Sequence, residues 1–260
     1  TNRTQAVNIS GFLSDSIPIT SGVPQGSVLG PTLFLLFIND IEDILSGLCT
    51  VRMKLFADDV KLYSSFDLHF STDLQEVCNR LAIWANTWQL RIAFDKCSVH
   101  RISNRNLVTD VVSAYQLGGC TLGWSQETRD LGIMMDNKLN FNCHISSIVH
   151  KAHARASLIL RCFASKDPRL LVQAFVTYVR PVLEYCTPVW SPYTARNISK
   201  LESCQRLFTK RIKGMSSMNY SERLAKLELK SLEVRRLRYD LIMCYKVING
   251  DVTTNASNFF

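Results

Sequence analysis

Two adjacent carboxylates, Asp58-Asp59, stand between the apolar alternation of Val51 to Ala57 and the short run Val60 to Tyr63. Along a strand, neighbouring side chains point to opposite faces, whereas a hairpin tip can present both near one spot. Carboxylates held that close repel, and a divalent cation relieves the repulsion. Mg²⁺ suits such a place, because it takes a few carboxylates and completes its shell with waters and substrate phosphates. The chemistry such a pair could serve is the binding of a divalent cation. Taken alone, Asp-Asp in a turn is more often a solvated β-turn, since Asp is a common turn residue.

A second constellation precedes it. Ser21-Gly22-Val23-Pro24-Gln25-Gly26-Ser27-Val28-Leu29-Gly30-Pro31 is a glycine-rich loop entering an apolar helix. Exposed backbone N–H groups and the positive end of a helix can face a phosphate or a nucleic-acid strand. Gln25 adds an amide able to contact a base or sugar edge; the plainer reading is an ordinary loop and helix start. A third group is basic: Arg206, Lys210, Arg211 and Lys213, with Arg235, Arg236 and Arg238 further on. These fit either a grip on a nucleic-acid backbone or a solvated helix face.

Charge is unevenly placed around these groups. Residues 1–150 carry 11 basic and 14 acidic side chains, residues 151–260 carry 19 and 8, and the whole chain is +8. An acidic first part followed by a strongly basic second part points to chemistry in one and polyanion binding in the other. With 260 residues at 47% hydrophobic content, the chain can bury a sizeable core and is not of disordered composition. The nine cysteines are scattered without a Cys-x-x-Cys pair, the pattern of reduced thiols in nucleus or cytoplasm. His150 and His153 share a helix face with Cys143 nearby, yet no fourth ligand is evident, and a metal site is not expected there. Trp84, Trp88, Trp124 and Trp190 read as core or edge packing. The start, Thr1-Asn2-Arg3-Thr4, has neither Met nor a signal pattern, and reads as that of a fragment.

The elements that must position these residues are legible as periods. Residues 6–20 read as a hairpin with Gly11 in its turn. A helix is expected from Ser27 or Pro31 to Leu45, with Leu33, Phe34, Phe37, Ile38, Ile41 and Ile44 on its apolar face. Val51–Ala57 and Val60–Tyr63 form a hairpin around Asp58-Asp59, and 72–90 is helical. Short strands fit 97–103, 111–117, 120–124 and 129–135. Beyond about 140 the period is helical throughout. Asp167-Pro168 starts one helix and Pro181 ends or kinks it; others are expected at 197–213 and 231–248, the last capped by Ser231 and stopped by Gly250. The fold class is α+β: a mixed part over 1–142 followed by a helical part over 143–260.

The run from Gly22 to Pro31, followed about thirty residues later by Leu55-Phe56-Ala57-Asp58-Asp59, resembles two consecutive motifs of LINE-type (non-long-terminal-repeat, jockey-like) retrotransposon reverse transcriptases. Group II intron enzymes share the Pro-Gln-Gly core and an Ala-Asp-Asp box, but Val28-Leu29-Gly30-Pro31 looks more like the retrotransposon enzymes. Trp88 through Lys96-Cys97 resembles the family's next motif, Arg129-Asp130-Leu131-Gly132-Ile133 its primer-grip hairpin, and His144–Arg161 with Tyr178–Trp190 its helical thumb. The resemblance covers residues 5–250.

It implies a partial right-hand polymerase palm (an antiparallel sheet with helices) over 1–142 and a helical thumb and connection over 143–260. It implies RNA-directed DNA synthesis, with RNA template, DNA primer and deoxynucleoside triphosphates as partners and Mg²⁺ or Mn²⁺ as cofactor, and no membrane. Two ions about 3.5–4 Å apart hold the attacking and leaving oxygens in that scheme. Asp58 is then the principal metal ligand and Asp59 its partner. Pro24, Gln25, Gly26, Phe56 and Ala57 line the nucleotide and template. Lys96 assists pyrophosphate departure, Leu131 and Gly132 brace the primer end, and Arg206, Lys210, Arg211 and Lys213 hold the backbone. Family members carry a further essential Asp on an earlier strand. Asp15, the single acidic residue before Asp40, sits in a turn-like Leu-Ser-Asp-Ser-Ile setting and does not take that role. The chain by itself is therefore expected to bind template-primer without extending it. The competing readings are a non-catalytic nucleic-acid-binding remnant and a group II intron maturase-like protein.

Overall fold

A computed structural model of the chain describes residues 3–23, 26–65, 71–103, 114–254 and 256–258. Two compact units emerge, one from residues 1–99 with 107–124 and the other from 100–106 with 125–260. Mixed helix and small antiparallel sheets make an α+β protein.

The first unit begins with a hairpin whose outer pair is β1 (Thr4–Gln5) with β4 (Ile17–Pro18) and whose inner pair is β2 (Asn8–Ile9) with β3 (Phe12–Leu13). Its turn is Ser10-Gly11, with φ of 53° and 91°. Two positive-φ residues suit the right-handed twist of the flanking strands, and Gly11 takes that backbone without a Cβ penalty. Asp15 therefore lies between β3 and β4 and not in the turn. Helix α1 (Gly30–Phe37) has Pro31 in its first turn and passes into a 3₁₀ helix over Asn39–Leu45, so the single expected helix is two. Strands β5 (Val51–Phe56) and β6 (Asp59–Ser64) pair in register, Val51 opposite Ser64 through Phe56 opposite Asp59.

Helix α2 (Thr72–Thr87) is capped by the Ser71 side chain, which accepts from Leu74 N–H. It lays Val77, Cys78, Leu81 and Ala85 inward, the spacing expected of an amphipathic helix. Val77, Cys78 and Leu81 join Ile41, Ile44, Val51, Tyr115, Leu117 and Leu122 in the core of this unit. Two indoles fix α2 to the 3₁₀ helix: Trp84 Nε1 and Trp88 Nε1 donate to the two oxygens of Asp40, at 3.1 and 3.0 Å. Short strands follow: β7 (Ser98–His100), β8 (Gln116–Leu117), β9 (Cys120–Thr121) and β10 (Gly123–Ser125). The expected strand over 111–117 falls partly outside the described residues.

In the second unit, β11 (Glu127–Asp130) and β12 (Ile133–Asp136) form a hairpin, so 129–135 is two strands and a turn. Ile133 and Met135 pack into the core of the helices that follow, which groups this hairpin with them. The long helix α3 (Asn142–Cys162) buries Ile145, Ile148, Val149, Ala152, Ala156 and Ile159. Helix α4 (Pro168–Ala174) starts at Asp167, whose carboxylate accepts from Arg169 N–H at 2.9 Å. Pro181 does not end the chain of turns. A π-helical turn over Phe175–Val179, with Arg180 N–H donating to the Phe175 carbonyl, leads into α5 (Arg180–Glu184). Pro181 has no N–H for the ladder, and the wider turn absorbs the misfit. Tyr178, within this π-helical turn, is exposed.

The rest comprises α6 (Thr187–Trp190), α7 (Ala195–Lys210), α8 (Tyr220–Lys226) and α9 (Leu232–Ile248). Ser231 caps α9 and Gly250, at φ 73°, follows its end. Trp190, Phe175, Leu201, Phe208 and Leu232 complete the core. Among the described residues no helix is long and apolar enough to cross a membrane.

Candidate active site

The two-residue loop closing β5 to β6 is Ala57-Asp58, since Phe56 pairs directly with Asp59. The tip therefore sits one residue earlier than the sequence suggests: Asp58 is in the turn and Asp59 is the first residue of β6. Ala57 holds φ at 52°, a left-handed backbone that L-residues other than Asn and Asp adopt rarely. Such a residue persists only where the surroundings over-determine it, and local strain of this kind concentrates at functional sites. Here the six-residue register below the loop supplies the constraint.

The hairpin has a buried and an open face. Val51, Met53, Leu55 and Leu62 turn toward the core, while Arg52, Lys54, Phe56, Asp59, Lys61 and Tyr63 share the open one. Phe56 is 62% exposed beside Asp59. Lys54 stands directly opposite Lys61 on the same face. Arg52, Lys54 and Lys61 were not singled out from the sequence; their signal was the same alternation that defined the strand.

Gly26 has φ 82°, and no heavy atom lies within 4 Å of where its Cβ would stand, so its role is backbone conformation and not close packing. Pro24 and Gln25 lie outside the described residues. Lys96 is exposed and ends a 3₁₀ turn, Phe94–Lys96, just before β7. No hydrogen bond or ion pair joins it to Asp58 or Asp59 among the described residues. The structure thus brings Phe56, Ala57, Asp58 and Asp59 together at one tip and leaves Lys96 on its own turn.

Within the helical unit, the turn of the β11–β12 hairpin is Leu131-Gly132, with φ of 43° and 90°. It is buttressed from α5: Tyr185, immediately after that helix, donates its hydroxyl to the Leu131 carbonyl at 3.1 Å, and its ring lies 3.6 Å from a Cβ built on Gly132. A second brace comes from α3, where His144 Nδ1 accepts from Met134 N–H at 3.4 Å. His144 is buried, with its ring edge-on to Trp190 at 5.1 Å. Burial, then Lys151 and Arg129, holds its pKa below the usual imidazole value. Cys143 donates to Glu127 Oε1 at 3.0 Å, a bond that raises its thiol pKa, and His153 faces Ser203 at 3.3 Å. Among the described residues no group of three or more His, Cys, Asp and Glu could hold a metal ion.

The basic residues divide. Arg206, Lys210, Arg211 and Lys213 are all exposed at the end of α7, where cations also suit the helix dipole. Lys210 and Arg211 line a cleft of about 510 Å³ between α3 and α7, together with His153, Ser157 and Ser216. Arg206 also stacks over the Tyr220 ring, 5.1 Å from its centroid. Arg235 and Arg236 do not form the solvated face that their sequence resembles. Arg235 Nη2 donates to Glu184 Oε2 at 3.0 Å, and Arg236 is 3% exposed. Their helix is anchored by a contact the sequence did not suggest. Glu202, on α7, accepts from Leu232 N–H and Glu233 N–H at the start of α9, and from the Tyr220 hydroxyl.

The family model described as reverse transcriptase (RNA-dependent DNA polymerase) matches residues 3–135, which contain the glycine-rich loop, the Asp58-Asp59 tip and the Leu131-Gly132 turn. This chain belongs to the reverse transcriptase family. Among curated relatives, the RNA-directed DNA polymerase from mobile element jockey of Drosophila melanogaster is 29% identical over 228 residues, covering 82% of this chain and 24% of that protein. The Drosophila funebris counterpart is 29% identical over 221 residues, again 82% and 24%. The probable RNA-directed DNA polymerase from transposon BS of Drosophila melanogaster is 26% identical over 204 residues, 74% and 22%. The reverse transcriptase chain thus spans about a quarter of the length of the curated relatives it matches. No solved structure matches it.

Proposed function

We propose that the chain is the palm portion and thumb of a retrotransposon RNA-directed DNA polymerase, with the palm over 1–142 and the thumb over 143–260. Its substrates are an RNA template, a DNA primer and deoxynucleoside triphosphates, and it acts in nucleus and cytoplasm. The observation that carries this reading is the carboxylate pair at the strained tip of the β5–β6 hairpin, in a chain whose glycine-rich loop and family match agree with it.

The donor set fits a hard divalent cation in part. Asp58 and Asp59 offer carboxylate oxygens at an exposed tip, as Mg²⁺ or Mn²⁺ requires, and substrate phosphates and water complete such a shell. When bound, such ions neutralise charge that develops on the transferred phosphoryl group. The protein's own contribution is position and electrostatics. Asp58 holds the principal ligand place and Asp59 the neighbouring one. Phe56 and Ala57 lie against the incoming nucleotide, and the family resemblance assigns Pro24, Gln25 and Gly26 to nucleotide and template. Lys54 and Lys61 add positive charge on the face that Asp59 shares. Lys96 gives a proton to the departing pyrophosphate. Leu131 and Gly132, held by Tyr185, support the primer end through backbone shape. Arg206, Lys210, Arg211 and Lys213 hold the nucleic-acid backbone.

The test is Mg²⁺-dependent primer extension on poly(rA)/oligo(dT). It uses a polypeptide joining this chain to the upstream carboxylate-bearing strand that the family resemblance implies. Asp58→Asn is expected to abolish extension while leaving template-primer binding in place. Full extension by that variant would remove the assignment.

A further inference from the structure

Helix α9 carries a buried face and an exposed apolar one. The first, Leu232, Arg236 and Val247, is buried against its own unit, where α9 packs on α6 and α7. The second lies on the opposite side. Val234, Leu237, Leu241, Tyr245 and Ile248 are 53%, 59%, 62%, 64% and 64% exposed, and Cys244 is exposed as well. A large exposed apolar stripe on one helix marks an interaction surface and not ordinary scatter.

The spacing of the stripe identifies its partner. Val234, Leu237, Leu241, Cys244 and Ile248 fall at intervals of three, four, three and four, which is an a–d heptad seam with Val234, Leu241 and Ile248 at a and Leu237 and Cys244 at d. Val234 and Ile248 put β-branched side chains at two of the three a positions and Leu237 puts Leu at one of the two d positions, a combination that favours two parallel strands. The flanking charges agree. Glu233 is at g and Arg238 at the following e; both are exposed. In a parallel pair in register, each Glu233 meets the other copy's Arg238. In an antiparallel pair each g position faces a g and each e position an e of the other copy, so Glu233 and Arg238 do not meet.

We propose that α9 is a dimerisation helix whose occupant is the same stripe of a second copy of this chain, parallel and in register. The interface is isologous, as a two-fold axis requires. Two such faces bury on the order of 1,000 Å², the lower bound for a specific interface, so the dimer is weak and reversible. Because α9 is already folded on its own unit, association does not carry the cost of forming a helix.

The experiment is sedimentation velocity of the 260-residue chain under reducing conditions across a concentration series, with disulfide trapping in parallel. A concentration-dependent monomer–dimer equilibrium is expected. Leu241→Glu, at an exposed position, weakens it at least tenfold with an unchanged far-ultraviolet circular dichroism spectrum. Arg238→Glu weakens it about tenfold, and adding Glu233→Arg restores it; this pair decides the matter even if Leu241→Glu disturbs folding. Diamide, as the two-electron oxidant, links Cys244 to Cys244 across d positions and gives a dimer on non-reducing gels that Cys244→Ser lacks. A chain that stays monomeric throughout overturns the proposal. So does a dimer indifferent to Leu241→Glu and to the charge exchange, or one that diamide cannot link through Cys244.

Discussion

Replacing Glu202 by Ala should be among the most damaging single changes in the helical unit. The residue is 5% exposed, and its carboxylate accepts from two backbone N–H groups at the start of α9, Leu232 at 3.0 Å and Glu233 at 3.3 Å, and from the Tyr220 hydroxyl. Tyr220 is in turn covered by Arg206 and Arg223, and burial followed by its bond to Glu202 pushes its pKa up. Alanine strands three donors at about 1 kcal/mol each. It also removes a carboxylate that attracts the buried Arg236 guanidinium, whose terminal nitrogens have no hydrogen-bond partner among the described residues. The sum is about 3–5 kcal/mol, the range for breaking a buried charged cluster. At roughly 2–4 °C per kcal/mol for a unit of this size, the unfolding midpoint drops by about 10 °C. Glu202→Gln keeps one acceptor oxygen but turns an amide N–H₂ toward donors, and should lose about half as much. Urea and thermal unfolding followed by near-ultraviolet circular dichroism, where Trp190 reports, measure both. A loss under about 1 kcal/mol for Glu202→Ala would refute the idea that this carboxylate ties α9 to α7.

Three further outcomes follow from the same geometry. Gly132→Ala should cost about 1 kcal/mol or more, because its φ of 90° strains any residue with a Cβ, and hydrogen exchange at the β11–β12 hairpin should rise with it. Stability should fall on acidification: the folded pKa of His144 is below the ordinary 6.5, so its contribution is full above that value and is lost as pH falls through the lowered one. Unfolding midpoints between pH 7.5 and 5 check this, and a midpoint that rises in acid contradicts it. Replacing Lys210, Arg211 and Lys213 by Gln should lower the slope of log affinity for template-primer against log salt by about 2–3, read by fluorescence anisotropy. An unchanged slope shows that these side chains only solvate the end of α7.

Much of this was legible in local chemistry. Asp167 before Pro168 and Ser231 before Leu232 are helix starts that the structure retains with their side-chain caps in place. The hairpin at Ser10-Gly11 and the helical period of α3 were equally plain, because each depends on neighbours a few residues apart. The tip of the β5–β6 hairpin was displaced by one residue, since nothing in Ala57 announces a positive φ. Helix α8 was unread although Asn219 and Glu222 form a capping box there, a signal present in the sequence. What could not be read is long-range. Glu202 finds partners 18 and 30 positions away, Tyr185 reaches a turn 54 positions back, and two tryptophans converge on Asp40. Arg235 and Arg236 resemble a solvated basic run until Glu184 and the packing of α9 are seen.

The central claim is that the Asp58-Asp59 tip is the metal-binding heart of a polymerase. It is tested most directly by primer extension on poly(rA)/oligo(dT) with Mg²⁺ or Mn²⁺, comparing the parent with Asp58→Asn and Asp59→Asn in the polypeptide that includes the upstream carboxylate-bearing strand. The account predicts extension by the parent, none by Asp58→Asn, and a severe loss for Asp59→Asn, with template-primer affinity held within about twofold because the basic end of α7 is untouched. Extension by Asp58→Asn at the parental rate would contradict it.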